Sequence, residues 1–142
     1  MENMGLELLF KGNNFLRLWG GLWITLRIAL ISMLFSMILG FFLGIIMRIK
    51  NPVLKVICRI YLEIVRIMPQ LVLLFLVYFG AAKHLGVNMS GEGAAVLVFT
   101  FWGTAEMGDL VRSALGAIPK HQYESGYGLG LTKWQVYLYI IL

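Results

Sequence analysis

The chain has 142 residues, 60% of them hydrophobic and only 13% charged, with a mean hydropathy of +0.84. A soluble globule of this length has too little interior to hide so many apolar side chains, and a disordered chain shows the opposite balance, so the composition fits bilayer lipid as the solvent. The net charge of +5 comes from twelve Lys and Arg set between apolar runs, without a basic stripe interleaved with aromatics, so nucleic acid is not an expected partner. Cys58 is the only cysteine, which leaves no internal disulfide and no thiolate metal cluster.

The opening carries Glu2 and Glu7 ahead of its bases and lacks the pattern of a cleaved signal peptide. Phe10, Phe15, Trp19 and Trp23 sit among polar residues, and residues 1–19 read as an interfacial segment with an aromatic belt. Ile28 to Met47 then runs for twenty residues without a charge, enough at about 1.5 Å per residue to cross a hydrocarbon core of about 30 Å. Arg27 is expected to snorkel outward from its head. Asn51-Pro52 has the form of an N-cap followed by Pro at the first helical position, so a helix starts there and leads into a second span.

The next two apolar stretches are short: Ile67 to Ala82 gives sixteen uncharged residues and Gly93 to Ala105 thirteen. Both reach crossing length only by absorbing charge. Span two is expected over Tyr61 to Ala82, taking in Glu63 and Arg66, and span three over Gly93 to Ile118, taking in Glu106, Asp109 and Arg112. The linker bases Arg48, Lys50, Lys55 and Arg59, with Arg112 at the cytoplasmic end of span three and Lys120 and Lys133 beyond it, outnumber Lys11, Arg17, Arg27 and Lys83 on the other side. By the positive-inside rule the N-terminus lies outside and the C-terminus in the cytoplasm. The fold class is therefore an all-α membrane protein with three transmembrane helices within residues 20–118 and a cytoplasmic unit over residues 119–142.

No enzyme chemistry emerges. The phosphate-binding loop G-x-x-x-x-G-K-[ST] is missing, no Ser, His and acid constellation stands out, and His84 and His121 read as solvated loop residues far from metal-ligand spacing. No catalytic residue, metal site or cofactor is expected on this chain.

Intramembrane charge carries more information. Glu63 and Arg66 are three apart, as are Asp109 and Arg112, and each pair is expected to neutralise itself on one helix face. Glu106 lies deeper, and with Asp109 it would compete for Arg112. Three acids against two bases leave a local charge near −1, which would favour a cation over an anion in a substrate path. Pro69 cannot supply a hydrogen bond to the Val65 carbonyl, which predicts a kink beside a cavity, with Gln70 next to it. The candidate path residues are thus Glu106, Asp109, Pro69 and Gln70. Gly40-x-x-x-Gly44 permits close helix approach in span one.

The tail is the most specific region. Pro119 opens a short helix through Tyr123 and Tyr127, and Gly130 can end it in the left-handed conformation. Thr132 and Gln135 have capping-box spacing, and Leu131 and Val136 are placed as a hydrophobic staple, so a second helix follows at once. Tyr123 and Tyr127 would form an aromatic knob, with Ser125, Gly126 and Gly128 leaving room for a partner surface.

Glu124-Ser125-Gly126, three residues, Gly130, nine residues, Ile140, one residue, Leu142 resembles the cytoplasmic E-A-A signature of ABC-importer permease subunits. Thr25-Leu26, Gly40, Tyr61, Glu63, Arg66, Pro69, Leu71, Asp109, Arg112, Pro119 and Gln122 agree with the polar amino acid permease branch of that family, so that the resemblance runs from Thr25 to Leu142. It implies an N-out subunit of five spans in the bacterial cytoplasmic membrane that dimerises with a second permease subunit, either a copy or a homologue. It also implies a cytoplasmic ATP-binding subunit, which would hydrolyse ATP, and an extracytoplasmic solute-binding protein that delivers the amino acid. Glu124 and Gly130 then belong to the ATPase-coupling loop, with Pro119, Gln122, Tyr123 and Leu131 beside them. Ser125 and Gly126 replace the usual alanines, and Glu106 stands where the family often has an aromatic. The signature's proline and spans four and five would follow Leu142, so the chain by itself is expected to be inactive. The alternative function is a small membrane scaffold or modulator that transports nothing.

Overall fold

The computed structural model describes residues 12–86 and 88–141, the side chains of residues 82, 84, 85 and 141 excepted. Glu2, Glu7, Phe10, Lys11 and Leu142 lie outside the described residues. The elements are α1 (Asn14–Ile46), α2 (Pro52–Ile67), α3 (Gln70–Leu85), α4 (Gly91–Ala117), α5 (Lys120–Gly128) and α6 (Lys133–Val136), the last running into a π-helical turn over Tyr137–Ile141. Among the described residues α1 and α4 are each long and apolar enough to cross a membrane.

Helix α1 is one uninterrupted rod of 33 residues, about 50 Å long at 1.5 Å per residue. Phe15, Trp19 and Trp23 therefore share a helix with span one, and no structural boundary falls near residue 19. Only Gly20 and Gly21 weaken that stretch, at about 1 kcal/mol each, and they do not interrupt it.

One face of α1 repeats a small residue every fourth position, Ser32, Ser36, Gly40 and Gly44, and all four are buried. That stripe receives α4. Ser32 Oγ donates to the Val96 carbonyl at 3.4 Å and Ser36 Oγ to the Thr100 carbonyl at 3.3 Å, while Gly40 and Gly44 lie against Met107, Gly108 and Val111. Close approach of this kind is how membrane helices gain dispersion energy without a hydrophobic driving force. The contacts advance in step along both helices, so α1 and α4 run in the same direction. The segment between them must then bring the chain back to the side from which α1 started.

That return over Tyr61 to Ala82 bends at Pro69, as expected, but far more sharply than a kinked helix would. Asn51 caps α2 by accepting from the Val53 N–H at 2.9 Å, with Pro52 at the first helical position as the sequence indicates. At Met68 and Pro69 the backbone becomes extended (ψ 124° and 133°), and α2 and the start of α3 are bent by 102°. Pro69 removes a helix donor and also disfavours helical geometry at the preceding Met68, so the kink becomes a full break. Among the described residues this bent pair is the one further candidate for a crossing, either a broken span or a re-entrant loop.

At its end α3 stops on Gly86, whose φ is +64°, and Ser90 caps α4 by accepting from the Gly93 N–H. His84 and His121 lie on α3 and α5, not in the loops expected for them. Beyond α4, Leu115 and Val136 form a small buried core joined by Ile45, Val111, Ile118, Tyr123, Leu131 and Ile140. The tail therefore packs back on the ends of α1 and α4.

Candidate functional site

Where α2 meets α4, charged side chains converge on Asp109. Arg66 donates from Nη2 to Asp109 Oδ2 at 2.6 Å and from Nε to Glu106 Oε1 at 3.3 Å, and Arg112 donates to Asp109 Oδ1 from Nη2 at 2.6 Å and Nε at 2.9 Å. Asp109 thus accepts three charge-assisted hydrogen bonds, which offset the cost of a carboxylate in an apolar layer. Tyr61 adds a second tie between the same helices, donating from its hydroxyl to the Phe101 carbonyl at 2.5 Å with the two rings edge to face at 4.8 Å.

Glu63 does not pair with Arg66, which corrects the pairing read from their spacing. It accepts from Arg59 Nε at 2.9 Å, one turn back on the exposed side of α2, because Arg66 is turned toward the acids of α4. Asp109 and Arg112 do pair, with Arg66 as a third member. Adding Arg59 to the count gives three bases for Glu63, Glu106 and Asp109. The net negative charge that pointed to a cationic substrate is therefore gone.

A groove of about 650 Å³ runs beside α1 and α4, with Arg27 and Glu92 at one end, 3.9 Å apart, and Tyr61, Thr100, Phe101 and Thr104 along its wall. Arg27 thus has an ion partner instead of simply reaching outward. The hydroxyls of Thr100 and Thr104 are buried there without a hydrogen-bond partner, a rare condition in an apolar setting. The two threonines stand four apart on one face of α4, a spacing legible in the sequence but without any charged neighbour to single them out. Pro69 and Gln70 are exposed at the α2–α3 break and do not line this groove. Among the described residues no group of three His, Cys, Asp or Glu could hold a metal ion.

The second feature is the helix–turn–helix unit at the end of α4. Pro119 precedes α5, where Gln122 and Glu124 are exposed, and Gly130 turns the chain with φ +78°. The amides of Leu129, Gly130 and Leu131 bond back to Ser125, Tyr127 and Gly126 carbonyls and close the end of α5. Thr132 and Gln135 then form the full capping box of α6. Two local readings need correction. Tyr123 is turned inward, packing edge-on to Tyr137 at 6.3 Å within the core around Val136, because the core lies on that face of α5. Gly126 is buried under Val136 and Ile140, so the space it leaves is filled by this chain itself. The exposed apolar groups are instead Tyr127, Leu129 at 78% exposure and Trp134 at 84%. Leu129 and Trp134 were legible as apolar residues flanking the Gly130 turn, where no amphipathic pattern sends them to a core.

This all-helical bundle, with its charge-tied bent helix and capped terminal unit, has the architecture of an integral membrane subunit of a transport system. Residues 36–142 match the family described as the binding-protein-dependent transport system inner membrane component, and the chain belongs to that family. It is accordingly a protein of the bacterial cytoplasmic membrane. It is 36% identical over 84 residues to the probable amino-acid ABC transporter permease protein YckA of Bacillus subtilis (strain 168), covering 59% of this chain and 37% of that protein. It is 30% identical over 125 residues to the probable glutamine ABC transporter permease protein GlnP of the same organism, covering 88% of this chain and 57% of that protein. An arginine ABC transporter permease protein, ArtQ of Haemophilus influenzae, is 31% identical over 90 residues, with 58% of this chain and 40% of that protein covered. The chain thus spans about half or less of the length of these relatives. The fold is shared with a crystal structure of an amino acid ABC transporter with histidines, at a TM-score of 0.73 and 24% identity over 83% of this chain and 55% of that one. An inward-facing methionine ABC transporter gives 0.64 and 21%, over 84% and 58%.

Proposed function

We propose that this chain acts as the membrane-spanning permease subunit of an ATP-driven amino acid importer, oriented with its N-terminus outside and its C-terminus in the cytoplasm. The observation that carries this reading is the capped α5–α6 unit, whose inner face is sealed by Val136 and whose outer face offers Glu124, Leu129 and Trp134 beside the Gly130 turn. An exposed tryptophan and leucine on a rigid turn fit a partner's groove, and Glu124 can meet a basic group there. ATP chemistry then belongs to a separate cytoplasmic subunit, and a second permease subunit and an extracytoplasmic binding protein complete the assembly.

The substrate path in this reading passes along α4 between the Thr100 and Thr104 hydroxyls and the Glu106–Asp109–Arg66 cluster, with the Pro69 break and Gln70 giving α3 freedom to move beside it. The relatives named above include glutamine and arginine permeases, which supports an amino acid as the class of substrate. Coexpression with candidate ATP-binding subunits and affinity purification through this chain tests the proposal. The wild-type chain should recover an ATPase, and Trp134→Ala or Gly130→Val should each lower recovery at least several-fold while membrane insertion is kept. Unchanged recovery with both variants would move the coupling elsewhere, and recovery of no ATPase by the wild type would favour a scaffold.

A further inference from the structure

A second cavity, of about 600 Å³, opens at the foot of α1, between the α1–α2 linker and the charged face of α2. Its wall carries six bases and only two acids, Glu63 and Asp109. Both acids are already engaged, Glu63 by Arg59 and Asp109 by Arg66 and Arg112. The remaining bases, Arg48, Lys50 and Lys55, make no ion pair among the described residues. Three unpaired cations facing one cavity of this size define a site for an anion with several oxygen acceptors.

The surroundings decide which anion. The cavity adjoins α2, a strongly amphipathic helix with Lys55, Arg59, Glu63 and Arg66 on one face and exposed Val56, Ile57, Ile60 and Ile64 on the others. A basic amphipathic helix of this pattern lies at a lipid interface, where its apolar side meets acyl chains. A soluble phosphate has no use for that apolar border, whereas a lipid needs a charged pocket and an apolar flank together. The geometry points to a binding site for the phosphate-bearing headgroup of an anionic phospholipid, held by Arg48, Lys50 and Lys55 with its acyl chains along α2. Basic pockets between membrane helices on the cytoplasmic side recognise such headgroups. The inference does not depend on the transport reading, because every residue it uses lies within residues 47–112.

Native mass spectrometry of the purified 142-residue chain tests it, with phosphatidylglycerol, phosphatidylcholine and inorganic phosphate as the probes. Phosphatidylglycerol should be retained in preference to phosphatidylcholine, and millimolar inorganic phosphate should not displace it. Each surface base contributes about fivefold to affinity for an anionic lipid, so Lys50→Gln with Lys55→Gln should weaken phosphatidylglycerol binding about 25-fold. Lys120→Gln with Lys133→Gln, the same charge change outside the cavity, should alter it by less than about twofold. Lys50→Arg with Lys55→Arg should retain binding, which separates loss of the site from loss of the fold. Equal weakening by the two glutamine pairs, equal retention of both lipids, or displacement by inorganic phosphate would each overturn the assignment.

Discussion

Helix α1 makes a sharp prediction because its glycines inside and outside the α4 seam should respond with opposite signs. A Cβ added at Gly40 would stand 2.5 Å from Met107 Cβ, 2.8 Å from Met107 Cγ and 3.1 Å from the Gly108 amide nitrogen. Carbon atoms rest about 3.5–4.0 Å apart, so α1 and α4 must separate by about 1 Å at that level. Neither a β-carbon nor a backbone nitrogen can swing aside as a side-chain tip can. Overpacking of this kind costs about 1–3 kcal/mol, and the Ser36 hydrogen bond one turn away, already long at 3.3 Å, would be lost with it. Alanine returns about 0.5–1 kcal/mol through its better helix propensity, which the lost hydrogen bond roughly offsets, leaving Gly40→Ala destabilising by about 1–3 kcal/mol. Gly20 and Gly21 lie on the same helix with nothing within 4 Å of an added Cβ. Alanine at either should therefore stabilise by about 0.5–1 kcal/mol. Unfolding of the purified chain in mixed micelles by titration with sodium dodecyl sulfate gives both differences. If Gly40→Ala shifted the transition in the same direction as Gly20→Ala, the close seam would not be a source of stability.

The same contrast should hold in the tail. Gly126→Ala would place a Cβ 2.8 Å from Val136 Cγ2 and Ile140 Cδ1 and should expose Lys133 to faster tryptic cleavage, whereas Gly128→Ala meets nothing within 4 Å and should slow it. Thr132→Ala removes the half of the α6 capping box in which the threonine hydroxyl accepts from the Gln135 amide, while the bond from the residue-132 amide to Gln135 Oε1 remains, and should cost about 1 kcal/mol, read as loss of helical ellipticity in the tail on heating. Asp109→Asn should destabilise by at least about 1.5 kcal/mol, because it weakens charged hydrogen bonds from Arg66 and Arg112 at once. Glu63→Gln, which loses one exposed pair to Arg59 within its own helix, should cost about 0.3–0.5 kcal/mol in the same titration.

What could be read from sequence was what is decided within a few residues. Asn51-Pro52, Gly130 and the Thr132–Gln135 box act through backbone groups one turn away, and each sits in the structure as its residues require. Partnership across helices was not legible. Arg66 lies 43 residues from Asp109, and nothing local to α2 says which of its faces turns toward α4. Spacing alone therefore assigned Arg66 to Glu63. Tyr123 and Tyr127 have the same relation to the helix axis in sequence, yet one turns to Tyr137 and the other to solvent because the core lies on one side only. Pro69 announced a disturbance, but its size, a 102° turn, depends on how α3 packs on α4 afterward. The Gly40 and Gly44 pattern was visible, while its extension through Ser36 and Ser32 became apparent only once α4 supplied carbonyls to receive their hydroxyls.

The two halves of the bundle are held by different kinds of force, and this sets where it can yield. Backbone meets backbone along Ser32, Ser36, Gly40 and Gly44, and Leu115 carries the same α4 rod into the core with Val136. A displacement of the α5–α6 unit must therefore be felt along α4, since contacts of that closeness leave no slack. Helix α2, by contrast, buries Val65 and Cys58 but makes its polar ties to α4 through the tips of long side chains, Tyr61 on the Phe101 carbonyl and Arg66 on Glu106 and Asp109. Those tips can rotate or exchange partners while the helix axes shift by an ångström or more. The break at Met68 and Pro69 begins two residues after Arg66, so α3 can change its angle to α2 without any helical hydrogen bond being stretched. Movement between the elements of this fold consequently concentrates at the α2–α3 joint, with Asp109 as the point on the rigid α4 to which that joint is fastened.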